Sequence, residues 1–331
     1  MAKILFIGDP HLKITRFELA TQFLKWVDRL IQDVSPDLVV NLGDTFDTHA
    51  VVRSEILAEF KKHKEHVVSI CPYTYVLGNH DFYKPDSSKY HALQTLKGDP
   101  NFNVIDDTTI KDEITYVPYI HNYREFPRIS TPICVAHQTF IGCDYGYYRP
   151  DVGVDADKVE AEIIISGHIH KRQMFGKVIY PGTPFAQSIS DINQSKGVML
   201  FDTNTYKYKF FESPLPRWQG MKFELSQDFT VADMHNNILN TINQKDHWVV
   251  DMVGPKAELV GYIDSPEIKN IRETCDLRIR TTYTDKNKEK VKIKAISIED
   301  ILSQYIDKVY DGSLDKGIIR DKALEILNKT Q

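Results

Sequence analysis

Five times within the first 170 residues a short apolar run stops on a cluster of histidine, aspartate or asparagine. Residues 4–7 lead into Asp9-Pro10-His11, 38–42 into Gly43-Asp44-Thr45-Phe46-Asp47, 73–77 into Gly78-Asn79-His80-Asp81, 133–135 into Ala136-His137, and 163–165 into Gly167-His168-Ile169-His170. Runs rich in β-branched and aromatic residues, bounded by glycine and polar turns, read as buried strands. A chain that repeats this unit is held to a sheet-based α/β fold. Strand ends on a shared edge would bring the polar tips together, which is where open α/β sheets keep their chemistry.

The segments between these turns alternate in period. Thr15-Arg16-Phe17-Glu18 reads as a capping box that opens a helix to about Val34, with Phe17, Ala20, Phe23, Val27, Leu30 and Val34 on one stripe. A second helix is expected over 52–66, with Ile56, Leu57 and Phe60 inward and His63 and His66 on a solvated face. A short helix is expected over 87–97, and strands over 102–105, 114–119, 174–180, 198–201 and 206–211. Strand-helix-strand units followed by mainly β segments predict a layered α/β/β/α core with two facing sheets.

At 331 residues the chain exceeds the size at which one core keeps growing, so a second, smaller domain is expected. Pro214 and Pro216 mark the boundary, and the core domain is read as 1–213. Residues 221–296 restart as an α+β unit: strand 221–225, helix 230–243, strand 247–252, helix 257–273, then strands 277–283 and 290–296. The segment 297–331 carries two amphipathic helical stretches, with Ile298, Ile301, Leu302, Tyr305 and Ile306 on one and Leu324 and Leu327 on the other.

Composition excludes little beyond the obvious. A formal charge of −5 argues against a protein that coats nucleic acid through overall basicity, but two bound divalent cations would offset most of it. No apolar run is long enough for a membrane span and no signal-peptide profile opens the chain, so a cytoplasmic protein is expected. Cys71, Cys134, Cys143 and Cys275 form no CxxC pair and are read as free thiols.

The donor inventory at the five turns is Asp9, His11, Asp44, Asn79, His137, His168 and His170, with His80 and Asp81 beside it. Any single histidine of this kind is more often structural than a ligand. Five such turns at strand tips point instead to divalent metals, and a mixed His/Asp/Asn set suits manganese, iron or zinc better than calcium. His168 and His170 share a side only if that segment is extended.

These blocks resemble the calcineurin-like metallophosphoesterases, whose pattern is DxH, GDxxD, GNHD or GNHE, a lone histidine and GHxH. The resemblance implies that Asp9, His11 and His170 hold one metal, that Asn79, His137 and His168 hold a second, and that Asp44 bridges them. His80 would assist the phosphate and Asp81 would orient His80. Ala136 departs from the glycine common before the lone histidine. Thr48-His49 and Asp81 depart from the protein phosphatases of this fold.

Gly43-Asp44-Thr45-Phe46-Asp47-Thr48 and Tyr180-Pro181-Gly182-Thr183-Pro184 look like segments of SbcD-type nuclease subunits of bacterial and phage recombination complexes. That likeness implies a manganese-dependent DNA exo- or endonuclease, with magnesium, iron or zinc as alternative metals. It also implies a DNA-capping second domain, a homodimer, and a C-terminal segment that grips an SbcC-type coiled-coil ATPase. Relatives with a second catalytic histidine at the place of Asp47 leave open whether His49 takes that role.

Tyr145, Tyr147, Tyr148 and Arg149 combine rings and charge suited to bases and phosphates. With His49 and Arg53 they are the candidate DNA contacts. Two rivals stand beside the nuclease: a phosphoesterase of small diesters and a noncatalytic DNA-end scaffold.

Overall fold

A computed structural model of the chain describes residues 2–47, 51–84, 87–146 and 148–285, with 316, 317, 319, 320 and 322. Residues 1–282 form one compact unit and 283–331 a second. The expected strand 290–296 and the helical residues Ile298, Ile301, Leu302, Tyr305, Ile306, Leu324 and Leu327 lie outside the described residues. So do His49 and Tyr147.

The elements run β1 Lys3–Ile7, α1 Phe17–Val34, β2 Leu38–Asn41, α2 Ser54–Val68, β3 Tyr73–Val76, β4 Phe82–Lys84, β5 Ser87–His91, β6 Phe102–Ile105, β7 Thr109–Lys111, β8 Ile114–Val117, β9 Ile133–His137, β10 Ile163–Gly167, β11 Gln173–Phe175, β12 Val178–Tyr180, β13 Gly197–Asp202 and β14 Tyr208–Glu212. Then come β15 Trp218–Glu224, α3 Val231–Thr241, β16 His247–Gly254, α4 Lys256–Ile263, α5 Pro266–Thr274 and β17 Asp276–Tyr283.

Two six-stranded sheets form the core, in the orders β14-β13-β1-β2-β3-β6 and β11-β12-β10-β9-β8-β7. Within the first, β1, β2, β3 and β6 are parallel; within the second, β8, β9, β10 and β12 are. Because side chains alternate along a strand, β1 divides its apolar residues. Leu5 and Ile7 pack with α1 and α2, while Ile4 and Phe6 meet Val135, Ile165 and Ile179 of the second sheet. Both faces of the parallel strands are thus buried, as their nearly continuous apolar sequence requires. The outer face of the second sheet is covered by Ile129, Phe140, Val154 and Val159 from connecting segments.

The small sheet β15-β16-β17 packs with α3, α4 and α5 around Met234, Ile238, Trp248, Leu259 and Ile268. The helix expected over 257–273 is two helices: Asp264 and Ser265 interrupt it, Ser265 accepts from the backbone of Ile268, and Pro266 opens the next. Among the described residues no helix is long and apolar enough to cross a membrane. Cys71, Cys134 and Cys143 are buried free thiols, and burial pushes the latter two up to about 12 and about 11.

Three further expectations are corrected. Thr15 caps nothing: a 3-10 turn over Ile14–Arg16 precedes α1, whose first flanking residue is Arg16 without a side-chain cap. The segment 87–97 is β5 followed by a 3-10 stretch, Ala92–Leu96, because β5 pairs back onto β4. His63 is buried between α1 and α2, where Nδ1 bonds Asp28 and Nε2 faces the Tyr73 hydroxyl at 3.5 Å. His66 is half-buried. Asp28→Ala leaves the His63 ring without its charged partner, and a loss of about 2 kcal/mol is expected by urea denaturation. An unchanged midpoint would mean that solvent satisfies the imidazole.

Candidate metal centre

Every expected donor sits at the C-terminal end of a parallel strand or in the turn just after it. Asp9 and His11 follow β1, Asp44 follows β2, Asn79 follows β3, His137 closes β9, and His168 and His170 follow β10. Adjacent strands β1, β2 and β3 carry three of these turns on one sheet, and β9 and β10 carry two on the other. The sheets are tied at this edge by Tyr119 N–H donating to the Leu77 carbonyl at 2.8 Å.

The side chains converge. His11 Nε2 lies 3.0 Å from His170 Nε2 and 3.8 Å from Asp44 Oδ2. His137 Nε2 lies 3.3 Å from the same Asp44 oxygen and 3.2 Å from Asn79 Oδ1, which is 2.8 Å from His168 Nδ1. Asp9 Oδ1 accepts from His168 N–H at 2.8 Å and stands 3.5 Å from His137 Nδ1. Two groups able to hold a cation emerge, His11/Asp44/His80 and Asp44/His137/His168, and Asp44 belongs to both. Asp9, Asp44 and His137 are buried, whereas His80 and His168 are half-buried and His170 is exposed, so the centre opens on one side.

Backbone geometry holds this arrangement under strain. His11, Asp44 and His168 have φ of 43°, 48° and 84°, in the left-handed region that non-glycine residues rarely adopt. Gly43 and Gly78 make room for the converging rings: a Cβ on Gly43 would stand 2.6 Å from both His137 Nδ1 and Gly78 N.

Burial and like charge set the electrostatics. Burial, with Asp44 nearby, raises the Asp9 carboxyl above its ordinary value. Burial would raise Asp44 too, but the adjacent His137, with His11 and His80, holds it below the carboxylate range. The His137 imidazole, against its own burial, is lifted to about 9 by Asp44. Burial and then His137 push His168 down to about 3, and burial pushes His11 well down. Asp81, through burial and the Asp44 charge, rises to about 7.

Divalent cations fit this donor set. Asp9 Oδ2 and His11 Nδ1 are buried without a hydrogen-bond partner, and buried polar atoms without partners mark sites completed by something else. His137 Nδ1 donates to the Leu42 carbonyl at 2.6 Å, which fixes the ring and turns Nε2 toward Asp44 and Asn79, where a bound cation would take the place of its proton.

The neighbouring residues fall in distinct places. His80 N–H donates to Asp44 Oδ1 at 2.8 Å, and its Nδ1 donates to the Asp47 carbonyl at 2.9 Å. Asp81 accepts from Gly78 N–H, Asp44 N–H and the Tyr75 hydroxyl, so it braces the two turns, while the Asp47 carbonyl orients the His80 ring. The Asp47 carboxylate pairs with Lys13 at 2.6 Å.

Tyr145 lies 6.5 Å from the His168 ring and stacks on Tyr148 at 4.9 Å, next to an exposed Arg149. Arg53 is exposed and pairs with Glu55. Sequence reasoning missed Tyr119, whose ring packs against His168 at 5.7 Å and a 30° tilt. Its signal was the same as for the others, a strand ending on a functional side chain. It also missed Asn41, which accepts from Gly43 N–H at 2.9 Å and shapes the Asp44 turn.

The chain is similar to several known proteins. The family model described as calcineurin-like phosphoesterase matches residues 2–172. The chain is 31% identical over 219 residues to 244L of Invertebrate iridescent virus 6, by description a phosphoesterase, covering 61% of this chain and 76% of that protein. It is 21% identical over 330 residues to exonuclease subunit 1 of Enterobacteria phage T4, covering 93% of each. A solved structure, the Pseudomonas putida nuclease MPE, aligns over 53% of this chain and 66% of its own at 18% identity, with a TM-score of 0.28. The chain belongs to the calcineurin-like phosphoesterase family.

Proposed function

We propose that the chain is the nuclease subunit of a DNA recombination or repair complex, hydrolysing phosphodiesters with two divalent metals. What carries this reading is the length of the likeness: similarity to the phage exonuclease subunit runs over 93% of both chains, whereas the phosphoesterase match stops at 61% of this one. Asp9, His11 and His170 would hold one ion and Asn79, His137 and His168 the other, with Asp44, common to both donor groups, available to each. Manganese is the favoured metal. Bound there, such ions neutralise nonbridging phosphate oxygens and supply a nucleophilic water.

The chain's own groups do the rest. Nδ1 of His80 donates to the Asp47 carbonyl, which holds the ring so that its second nitrogen, carrying a proton, donates to the phosphate oxygen on which charge develops. Tyr145, 6.5 Å from the His168 ring, with Tyr148 stacked on it and the exposed Arg149 next in sequence, is suited to receiving a strand. An SbcC-type ATPase gripped by residues 297–331, a homodimer and a cytoplasmic location complete the proposal. They rest on the SbcD likeness alone.

His80→Ala is expected to lower kcat for a labelled duplex about 100-fold or more in manganese, and its ion content separates a phosphate contact, with both ions kept, from a ligand of the His11/Asp44/His80 group, with one ion lost. Unchanged turnover would remove His80 from the reaction. The rival reading is a phosphoesterase of small diesters; the higher identity to 244L supports a phosphoesterase without naming its substrate. Turnover of bis-p-nitrophenyl phosphate with no cutting of any DNA substrate would establish it.

A further inference from the structure

A cleft of about 630 Å³ lies between the start of α1 and the small sheet, apart from the metal centre. Two arginines line it, Arg16 and Arg278, and neither has a carboxylate of the described residues within 4.0 Å. Arg16 is half-buried and uses one N–H, donating to the Gln187 carbonyl at 2.8 Å. Arg278 lies over the Trp218 ring at 4.6 Å. That contact occupies the flat face of the guanidinium and leaves its in-plane donors to meet an acceptor.

The carboxylates on the cleft are engaged elsewhere. Asp276 accepts from His247 at 2.6 Å and Glu18 from Gln22 at 3.3 Å. Asp191, behind the wall, accepts from Gln187 N–H, Ser188 N–H and Lys196. Two planar forks of donors in one cleft match the geometry of a phosphate oxyanion.

The wall of the cleft is fastened to the metal-binding turns. Gln187 donates from its side chain to the carbonyl of Pro10, the residue between Asp9 and His11, at 2.9 Å. Lys196, buried against Asp191, donates to the His170 carbonyl at 2.9 Å. The position of Arg16, through the Gln187 carbonyl that it meets, is therefore set by the segment that also holds Asp9 and His11, while Arg278 is set by Trp218 of the small sheet.

We propose that this cleft holds a backbone phosphate of the nucleic-acid strand whose scissile phosphate lies at the metal centre, an inference that rests on the nuclease reading above. A small diester reaches the metals alone; a strand reaches both. The test compares a labelled oligonucleotide with bis-p-nitrophenyl phosphate, in manganese, for the wild type, Arg278→Gln and Arg16→Gln. Arg278→Gln is expected to raise KM for the oligonucleotide about tenfold with kcat kept, and to reduce the slope of log KM against log salt by about one. Hydrolysis of the small diester by this variant stays unchanged, and Arg16→Gln repeats the effect on the strand.

An unchanged oligonucleotide KM in both variants overturns the proposal, as do equal losses on both substrates. Inhibition by a free mononucleotide that Arg278→Gln relieves, with the strand's KM unaffected, assigns the cleft to a soluble nucleotide and also overturns it. A wild type that hydrolyses the small diester but neither binds nor cuts DNA defeats the nuclease reading itself, which none of the variant outcomes does.

Discussion

Asp44→Asn is expected to lower turnover about 1,000-fold while leaving the fold in place. The substitution keeps the side chain's shape, and an amide oxygen can still accept from His80 N–H as Asp44 Oδ1 does at 2.8 Å. What disappears is the negative charge shared by the two donor groups, His11/Asp44/His80 and Asp44/His137/His168. Removing a preorganised charge from a buried catalytic site typically costs about 100- to 1,000-fold, and on the proposed assignment each ion would also lose a ligand. Mass-spectrometric metal content should fall together with activity on bis-p-nitrophenyl phosphate. Two ions per chain with near wild-type turnover would show that Asp44 is not the shared ligand.

Gly78→Ala is expected to damage stability and activity together. A Cβ there collides with Asp44 Oδ1 and stands 2.6 Å from Asp44 N and from His137 Cε1. The backbone nitrogen cannot swing aside as a flexible side chain would, so one of the two turns must shift. The expected cost is about 3 kcal/mol, seen as a fall in melting temperature of about 6–12 °C for a unit of this size. Gly261→Ala is the contrasting control. It lies in the helix Lys256–Ile263 with nothing within 4 Å of the added carbon, so helix propensity alone should raise stability slightly. A Gly78→Ala protein that melts with the wild type would contradict the close approach of the two turns.

The features readable from the amino acids are those that local pattern determines. Strand periodicity placed all five polar turns, and the histidine, aspartate and asparagine donors at those turns pointed to the groups that could hold a cation. What could not be read depends on partners distant in sequence. His63 sits among lysines on α2, a surface pattern, yet Asp28 on the neighbouring helix buries it. Residues 87–97 carry helix-compatible composition, but β5 gains its hydrogen bonds from β4. Thr15 offers a capping sequence that the 3-10 turn before α1 pre-empts. Asp81 stands next to His80 in sequence, and only the fold reveals that its oxygens go to Gly78, Asp44 and Tyr75. The same holds for Arg16 and Arg278, 262 positions apart by number and meeting only because the small sheet folds back on α1.

The left-handed backbone at His11, Asp44 and His168 places catalysis and robustness in opposition. Glycine would relax each of these positions by about 1 kcal/mol or more, at the expense of a donor atom. Selection for heat tolerance alone would therefore erode the hydrolytic centre, and only continued demand for turnover keeps three bulky side chains where the polypeptide least wants them.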